Sequence, residues 1–183
     1  MAVTALPASP ATLNNSDWFA EASSDGTVRL WDPDEQDAPQ RTLGWKGESP
    51  VRAVGVSPDG ANLVSVSENQ KVQVWRLSDG MRIQELDGPP STNADVAFSR
   101  DGELLAVSAA DRTVHIWHWV NGHKLAVLHR HGDSVNTAQF TDDGSLVTAS
   151  DDSTVAMFPC TTCGPFEKDL LKQAQERVEA HRR

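Results

Sequence analysis

Apolar residues fall in short runs that alternate with polar ones and are bounded by turn residues. Residues 51–56, 63–66, 72–75 and 82–86 form four such runs, with Asp59-Gly60 and Asp79-Gly80 between members of the set. Dipeptides of this kind tolerate the positive φ of a tight hairpin, so the pattern predicts four antiparallel strands joined as a meander. The next segment repeats the order. Residues 93–98, 104–107, 113–117 and 124–128 are apolar-rich, broken at Asp101-Gly102, Asp111-Arg112 and Asn121-Gly122.

This repetition has a fixed period. Ser57-Pro58-Asp59-Gly60, Ser99-Arg100-Asp101-Gly102 and Thr141-Asp142-Asp143-Gly144 stand 42 residues apart, and Trp31, Trp75, Trp117 and Phe158 follow at intervals of 44, 42 and 41. Self-similarity at this spacing means one supersecondary unit per repeat, each unable to bury its apolar face alone. In the third strand of each unit, Val28/Leu30, Val72/Val74, Val114/Ile116 and Val155/Met157 share one face, and the aromatic residue points to the other. Apolar residues on both faces require cover above and below, which radial stacking of sheets supplies.

Composition narrows the partners. With 26 acidic against 16 basic residues, the net charge is −10, and no Lys/Arg stripe offers counterion release from a phosphate backbone. Nucleic acid is not an expected partner, and any partner would be neutral or basic at the contact. Residues 1–13 carry no positive charge and no long apolar run, and no stretch approaches about 18 uninterrupted apolar residues, so neither secretion nor a membrane span is expected. Two cysteines do not make a disulfide framework, and a reducing cytoplasm is the expected compartment.

The segment Ser23-Ser24-Asp25-Gly26-Thr27-Val28-Arg29-Leu30-Trp31-Asp32, together with Ser-Pro-Asp-Gly ahead of Trp75, resembles the WD-repeat family of β-propellers. The resemblance covers about residues 3–158 and implies an all-β propeller segment of four antiparallel four-stranded blades, about 3–45, 46–88, 89–130 and 131–164, in an incomplete or partial ring. It also implies a blade-fastening set of His, Ser/Thr, Asp and Trp. Carried over by position, that set is Ser23, Asp25 and Trp31; Ser67, Asn69 and Trp75; Asp111 and Trp117, with Ala109 in the serine place; and His131, Ser150 and Asp152, with Phe158 replacing the indole. Only Trp31-Asp32 keeps the family's dipeptide. Residues 1–16, interrupted by Pro7 and Pro10, read as a frayed blade edge.

After Phe158 the strand pattern stops, so the last blade lacks its fourth strand. Phe166, Leu170, Leu171, Ala174 and Val178 then predict a short amphipathic C-terminal α-helix over 165–183, separate from the propeller segment over 1–164. This tail is similar to those of large bacterial WD-repeat regulatory proteins. Four units leave three arrangements open: the C-terminal part of a longer propeller, a homodimer that completes a ring, or a tight four-blade closure.

No Gly-x-Ser-x-Gly, Walker or dinucleotide loop is present, so no enzyme and no cofactor is expected. Cys160 and Cys163 are spaced to share one zinc, with His129 and His131 as the nearest pair to complete it, or to act as a redox couple. The plainer reading is two structural thiols. Trp45, with Lys46 beside it, lies in a loop between units and is a candidate partner contact, against simple packing on the next blade. The resemblance implies a non-catalytic interaction scaffold in signalling whose partner is a protein or peptide, with a thiol-based redox or zinc sensor as the alternative.

Overall fold

The computed structural model describes residues 3–5, 12–13, 16–17, 19–32, 38–90 and 95–159. Cys160, Cys163 and the helix expected over 165–183 lie outside them. The strands are β1 (Val3–Ala5), β2 (Thr12–Leu13), β3 (Ser16–Asp17), β4 (Phe19–Ala22), β5 (Val28–Trp31), β6 (Arg41–Leu43), β7 (Val51–Val56), β8 (Asn62–Ser67) and β9 (Lys71–Arg76). They continue as β10 (Arg82–Asp87), β11 (Val96–Phe98), β12 (Leu104–Ser108), β13 (Thr113–His118), β14 (His123–His129), β15 (Val135–Phe140), β16 (Leu146–Ser150) and β17 (Val155–Phe158).

All pairing is antiparallel. Blade 1 has the order β1-β4-β5-β6, blade 2 is β7 to β10, blade 3 is β11 to β14, and blade 4 is β15-β16-β17 among the described residues. β2 and β3 form a separate small hairpin between β1 and β4. The N-terminal segment therefore supplies the first strand of blade 1, with Val3 opposite Ala22 and Ala5 opposite Ala20. Neighbouring blades meet through their first strands: β7 lies against β1 on one side and β11 on the other, and β11 lies against β15.

The three tetrapeptides that set the period make one and the same turn. Gly60, Gly102 and Gly144 have φ of 69°, 75° and 82°, a region open to glycine, and their N–H groups donate to the carbonyls of Ser57, Ser99 and Thr141. The hydroxyl at the head of each turn donates to the aspartate two residues on at 2.5 Å: Ser57 to Asp59, Ser99 to Asp101, Thr141 to Asp143. Each carboxylate also accepts from the backbone of Ala61, Glu103 or Ser145. These bonds, the hydroxyl first, hold the Asp59 and Asp143 carboxyls below their ordinary pKa.

Between the blades the core is three interfaces in series. Ala20, Ala22, Val28 and Leu30 of blade 1 meet Val51, Val54, Leu63 and Trp75 of blade 2. Val64, Val66, Val72 and Val74 of blade 2 meet Val96, Leu105, Val107 and Trp117 of blade 3. Ala106, Val114 and Ile116 of blade 3 meet Val135, Ala138 and Leu146 of blade 4, with Phe158 packed alongside. One face of each sheet is aliphatic and the opposite face presents the aromatic residue, as the alternation along the third strand requires.

Polar groups cross the same seams. Asp95, just before β11, accepts from the Thr137 hydroxyl at 2.6 Å and the Ala138 N–H at 3.3 Å, so its carboxylate ties blade 3 to blade 4. Arg41 of blade 1 donates to the Leu77 carbonyl of blade 2 at 2.6 Å.

Leu105 is fully buried in the second interface, whereas Val120 is exposed in the turn after β13. Leu105→Ala is expected to lower unfolding free energy by about 2–5 kcal/mol. Val120→Ala should stay within about 0.5 kcal/mol of the parent. Urea titration of both variants checks this; equal losses would contradict the stacked core.

Candidate interaction surface

The second to third strand turns carry the aspartates of the expected fastening sets. Asp25, Asn69, Asp111 and Asp152 each accept from the backbone N–H two residues on, at 3.0, 3.3, 3.1 and 2.8 Å. Thr27, Thr113 and Thr154 add their hydroxyls to these carboxylates at 2.5–2.6 Å. Hydrogen bonds, that from the threonine hydroxyl first, pull the Asp25 and Asp152 carboxyls far below the usual range. Here three aspartates and Asn69 clamp turns whose next residue, Gly26, Gln70, Arg112 or Ser153, has positive φ.

The acceptors for the aromatic position stand two residues before the serines the sequence selects. The Trp75 indole donates to the Ser65 hydroxyl at 2.9 Å, and the Trp31 indole to the Glu21 carboxylate at 2.9 Å. Ser67 and Ser23 make neither bond: the Ser23 hydroxyl accepts from the Asp25 N–H, and the Ser67 carbonyl closes a turn with Gln70. In blade 4, His131 contacts Thr148 at 2.7 Å, Thr154 at 3.0 Å and Asp152 at 3.3 Å, while the Ser150 hydroxyl donates to the Asp133 carbonyl. Arg130 lies over the Phe158 ring. The tryptophan and its acceptor are ten apart in blades 1 and 2, and Val107 and Thr148 occupy the same position in blades 3 and 4, where Val107 offers no acceptor and Phe158 no donor. That fixed offset is the signal by which the sequence could have found them.

The loop between β6 and β7 is held on blade 1 by its backbone. Gly47 donates to the Asp25 carbonyl at 3.0 Å and Glu48 to the Trp45 carbonyl at 3.3 Å. Gly26, at φ 91°, leaves no room for a Cβ, which would stand 2.9 Å from the Glu48 oxygen and 3.0 Å from that of Trp45. The Trp45 side chain projects from this fixed backbone with 59% of its surface exposed. The Arg82 guanidinium of blade 2 stands 5.8 Å from its ring centroid and is paired with Glu85 at 3.0 Å. Lys46 is exposed beside it. Arg82 was not visible as part of this surface from the sequence, since it is 37 residues away and only blade stacking brings it over the indole.

Comparison with known proteins agrees with this architecture. A family model for the WD domain, G-beta repeat, matches residues 9–32 and 38–76, and one for the anaphase-promoting complex subunit 4 WD40 domain matches residues 62–143. The chain is 33% identical over 147 residues to an uncharacterized WD repeat-containing protein of Synechocystis, covering 78% of this chain and 39% of that protein. The chain belongs to the WD-repeat family. It is also 30% identical to the guanine nucleotide-binding protein subunit beta-like protein 1 of Mus musculus over 142 residues, or 43% of that protein. To the nuclear distribution protein nudF of Aspergillus niger it is 30% identical over 128 residues, or 29% of that protein. This WD-repeat chain thus spans well under half the length of these relatives.

Among the described residues, no three His, Cys, Asp or Glu side chains converge as a metal site, and no helix is long and apolar enough to cross a membrane. Cys160 and Cys163 lie outside those residues. A titratable group lies in the WD-repeat core among the described residues. His115 on β13 is 9% exposed, tilts against the Trp117 ring with centroids 5.5 Å apart, and its Nδ1 has no hydrogen-bond partner. Burial lowers its pKa from 6.5 to about 4; Lys124 and His129 add to the fall and Asp111 opposes it.

The unfolded chain takes up this proton near pH 6.5, but the folded one only near pH 4. The stability associated with neutral His115 is complete above 6.5, is lost progressively as pH falls, and levels off below about 4. Urea midpoints should therefore drop between pH 6.5 and 4 in the parent and drop less in His115→Gln; parallel curves would rule this source out.

Proposed function

We propose that this WD-repeat chain is a non-catalytic protein-interaction module that takes a protein or peptide at the blade 1–blade 2 rim, with Trp45 as the anchor. The observation that carries the reading is an indole held out in solvent by a loop whose backbone is fixed at Gly26 and Gly47. Aromatic anchors dominate binding energy when they meet a partner already ordered, because little rotamer freedom is lost. Nearby charges cancel, Lys46 and Arg82 against Glu48 and Glu85, so the contact is led by the indole and its flanking cation rather than by the overall acidity. Membership of a family that commonly supplies interaction scaffolds supports the same reading, and 26 acidic against 16 basic residues supports a protein over a nucleic acid. A reducing cytoplasm, suggested by the scarcity of cysteine, is the compartment in which we place it.

The test is affinity capture from the native host at matched bait levels, with quantitation of bound proteins. Trp45→Ala should leave the melting temperature unchanged and lower recovery of at least one specific protein, with an affinity loss of about 2 kcal/mol, or roughly 30-fold. Lys46→Ala should have a smaller effect. Binding that is indifferent to Trp45→Ala, or no protein enriched over a blank matrix, would refute the site.

A further inference from the structure

Three interfaces inside the molecule are built to one plan, and its two halves recur unused at the ends of the stack. The aliphatic half consists of four register positions on the second and third strands. These are Ala20/Leu30 and Ala22/Val28 in blade 1, Val64/Val74 and Val66/Val72 in blade 2, and Ala106/Ile116 and Ser108/Val114 in blade 3. All twelve are buried, and all but Ser108 pack in the cluster shared with the following blade. Blade 4 has Val147/Met157 and Ala149/Val155 at the same positions. There Val155 is 72% and Met157 60% exposed. A strand meant for water would carry polar residues on this face, whereas this one keeps the full apolar set.

The aromatic half is a facing pair: Leu63/Trp75, Leu105/Trp117 and Leu146/Phe158, with both leucine and tryptophan buried in blades 2 and 3. Blade 1 has Phe19/Trp31 in this register. The two rings stack on each other at 6.3 Å but remain only half-buried, with no blade over them among the described residues. The polar residues of that face already have partners, Glu21 on the Trp31 indole and Arg29 on Asp25, so covering it strands no charge.

We propose that the Val155/Met157 face of one copy docks on the Phe19/Trp31 face of a second copy, and reciprocally, so that two chains close an eight-bladed ring. A second copy is the occupant because each chain carries both halves of an interface it already makes three times, and among the described residues no blade covers Val155 and Met157. A head-to-tail contact closes into a ring when the rotation per unit divides the circle, and eight blades lie within the range that propellers adopt. This inference does not rest on Trp45, which lies on the rim between blades 1 and 2.

Light scattering after size exclusion, with the whole chain at micromolar concentration and about 0.15 M salt, reads the mass directly. The expected result is twice 19.9 kDa for the parent. Val155→Glu/Met157→Glu should elute at 19.9 kDa with unchanged circular dichroism, while Val120→Glu, placed on an exposed apolar residue elsewhere, should remain dimeric. In a Cys160→Ser/Cys163→Ser background, a short thiol crosslinker should join Met157→Cys chains to Phe19→Cys chains when the two are mixed, and should not join either kind to itself. A monomeric parent, a dimer that survives the double substitution, crosslinking of like with like, or oligomers that grow with concentration would each overturn the closed pair.

Discussion

A β-strand with apolar residues on both faces cannot rest against water on either side, and this constraint organises the molecule. β5, β9, β13 and β17 each carry two aliphatic residues on one face and an aromatic on the other. Each sheet therefore needs a neighbour in both directions, and the neighbours must alternate in kind, aliphatic against aromatic. Blades 2 and 3 have both neighbours and bury their third strands almost completely, whereas among the described residues blades 1 and 4 have one each. The demand is the same in all four, so the difference lies in what covers them and not in what they are made of.

The excess of acid has a local origin that its sum conceals. Six aspartates, Asp25, Asp59, Asp101, Asp111, Asp143 and Asp152, accept hydrogen bonds from the backbone two residues on and from a hydroxyl in the same turn. A carboxylate there offers two oxygens where an asparagine offers one, and at Asp25, Asp59, Asp143 and Asp152 those bonds lower the pKa by favouring the charged form. Much of the net charge of −10 is thus turn chemistry repeated around the stack. Its effect on a partner is secondary to the composition of the loop that meets it.

The period, the strand order and the turns were legible in the sequence because each depends on residues close in the chain: Asp-Gly for the hairpins, alternation for the faces. The partner of the indole was not, because it is fixed by cross-strand register, and the serine nearest the turn, Ser67, is more conspicuous than Ser65 inside the strand. Thr148 was missed for the same reason, with Ser150 closer to the turn. Asp95 gave no local signal either; its carboxylate is spent 42 residues away, on Thr137. Trp45 is conspicuous in the sequence as an aromatic in a loop between units, but the cation over it comes from another blade. The cysteine pair and the helical pattern after Phe158 remain expectations from the sequence, outside the described residues.

The bridge from Asp95 to Thr137 and Ala138 bears on how the molecule comes apart. Repeat arrays are held by couplings between nearest neighbours, so each unit's persistence depends on the seams beside it and not on a shared centre. The seam between blades 3 and 4 includes a carboxylate holding both a hydroxyl and a backbone N–H across it. The last sheet is thereby latched to the third by a directional bond as well as by packing. Parting these two sheets must break the latch and the apolar contact together, so the directional bond adds to the coupling that packing alone would give.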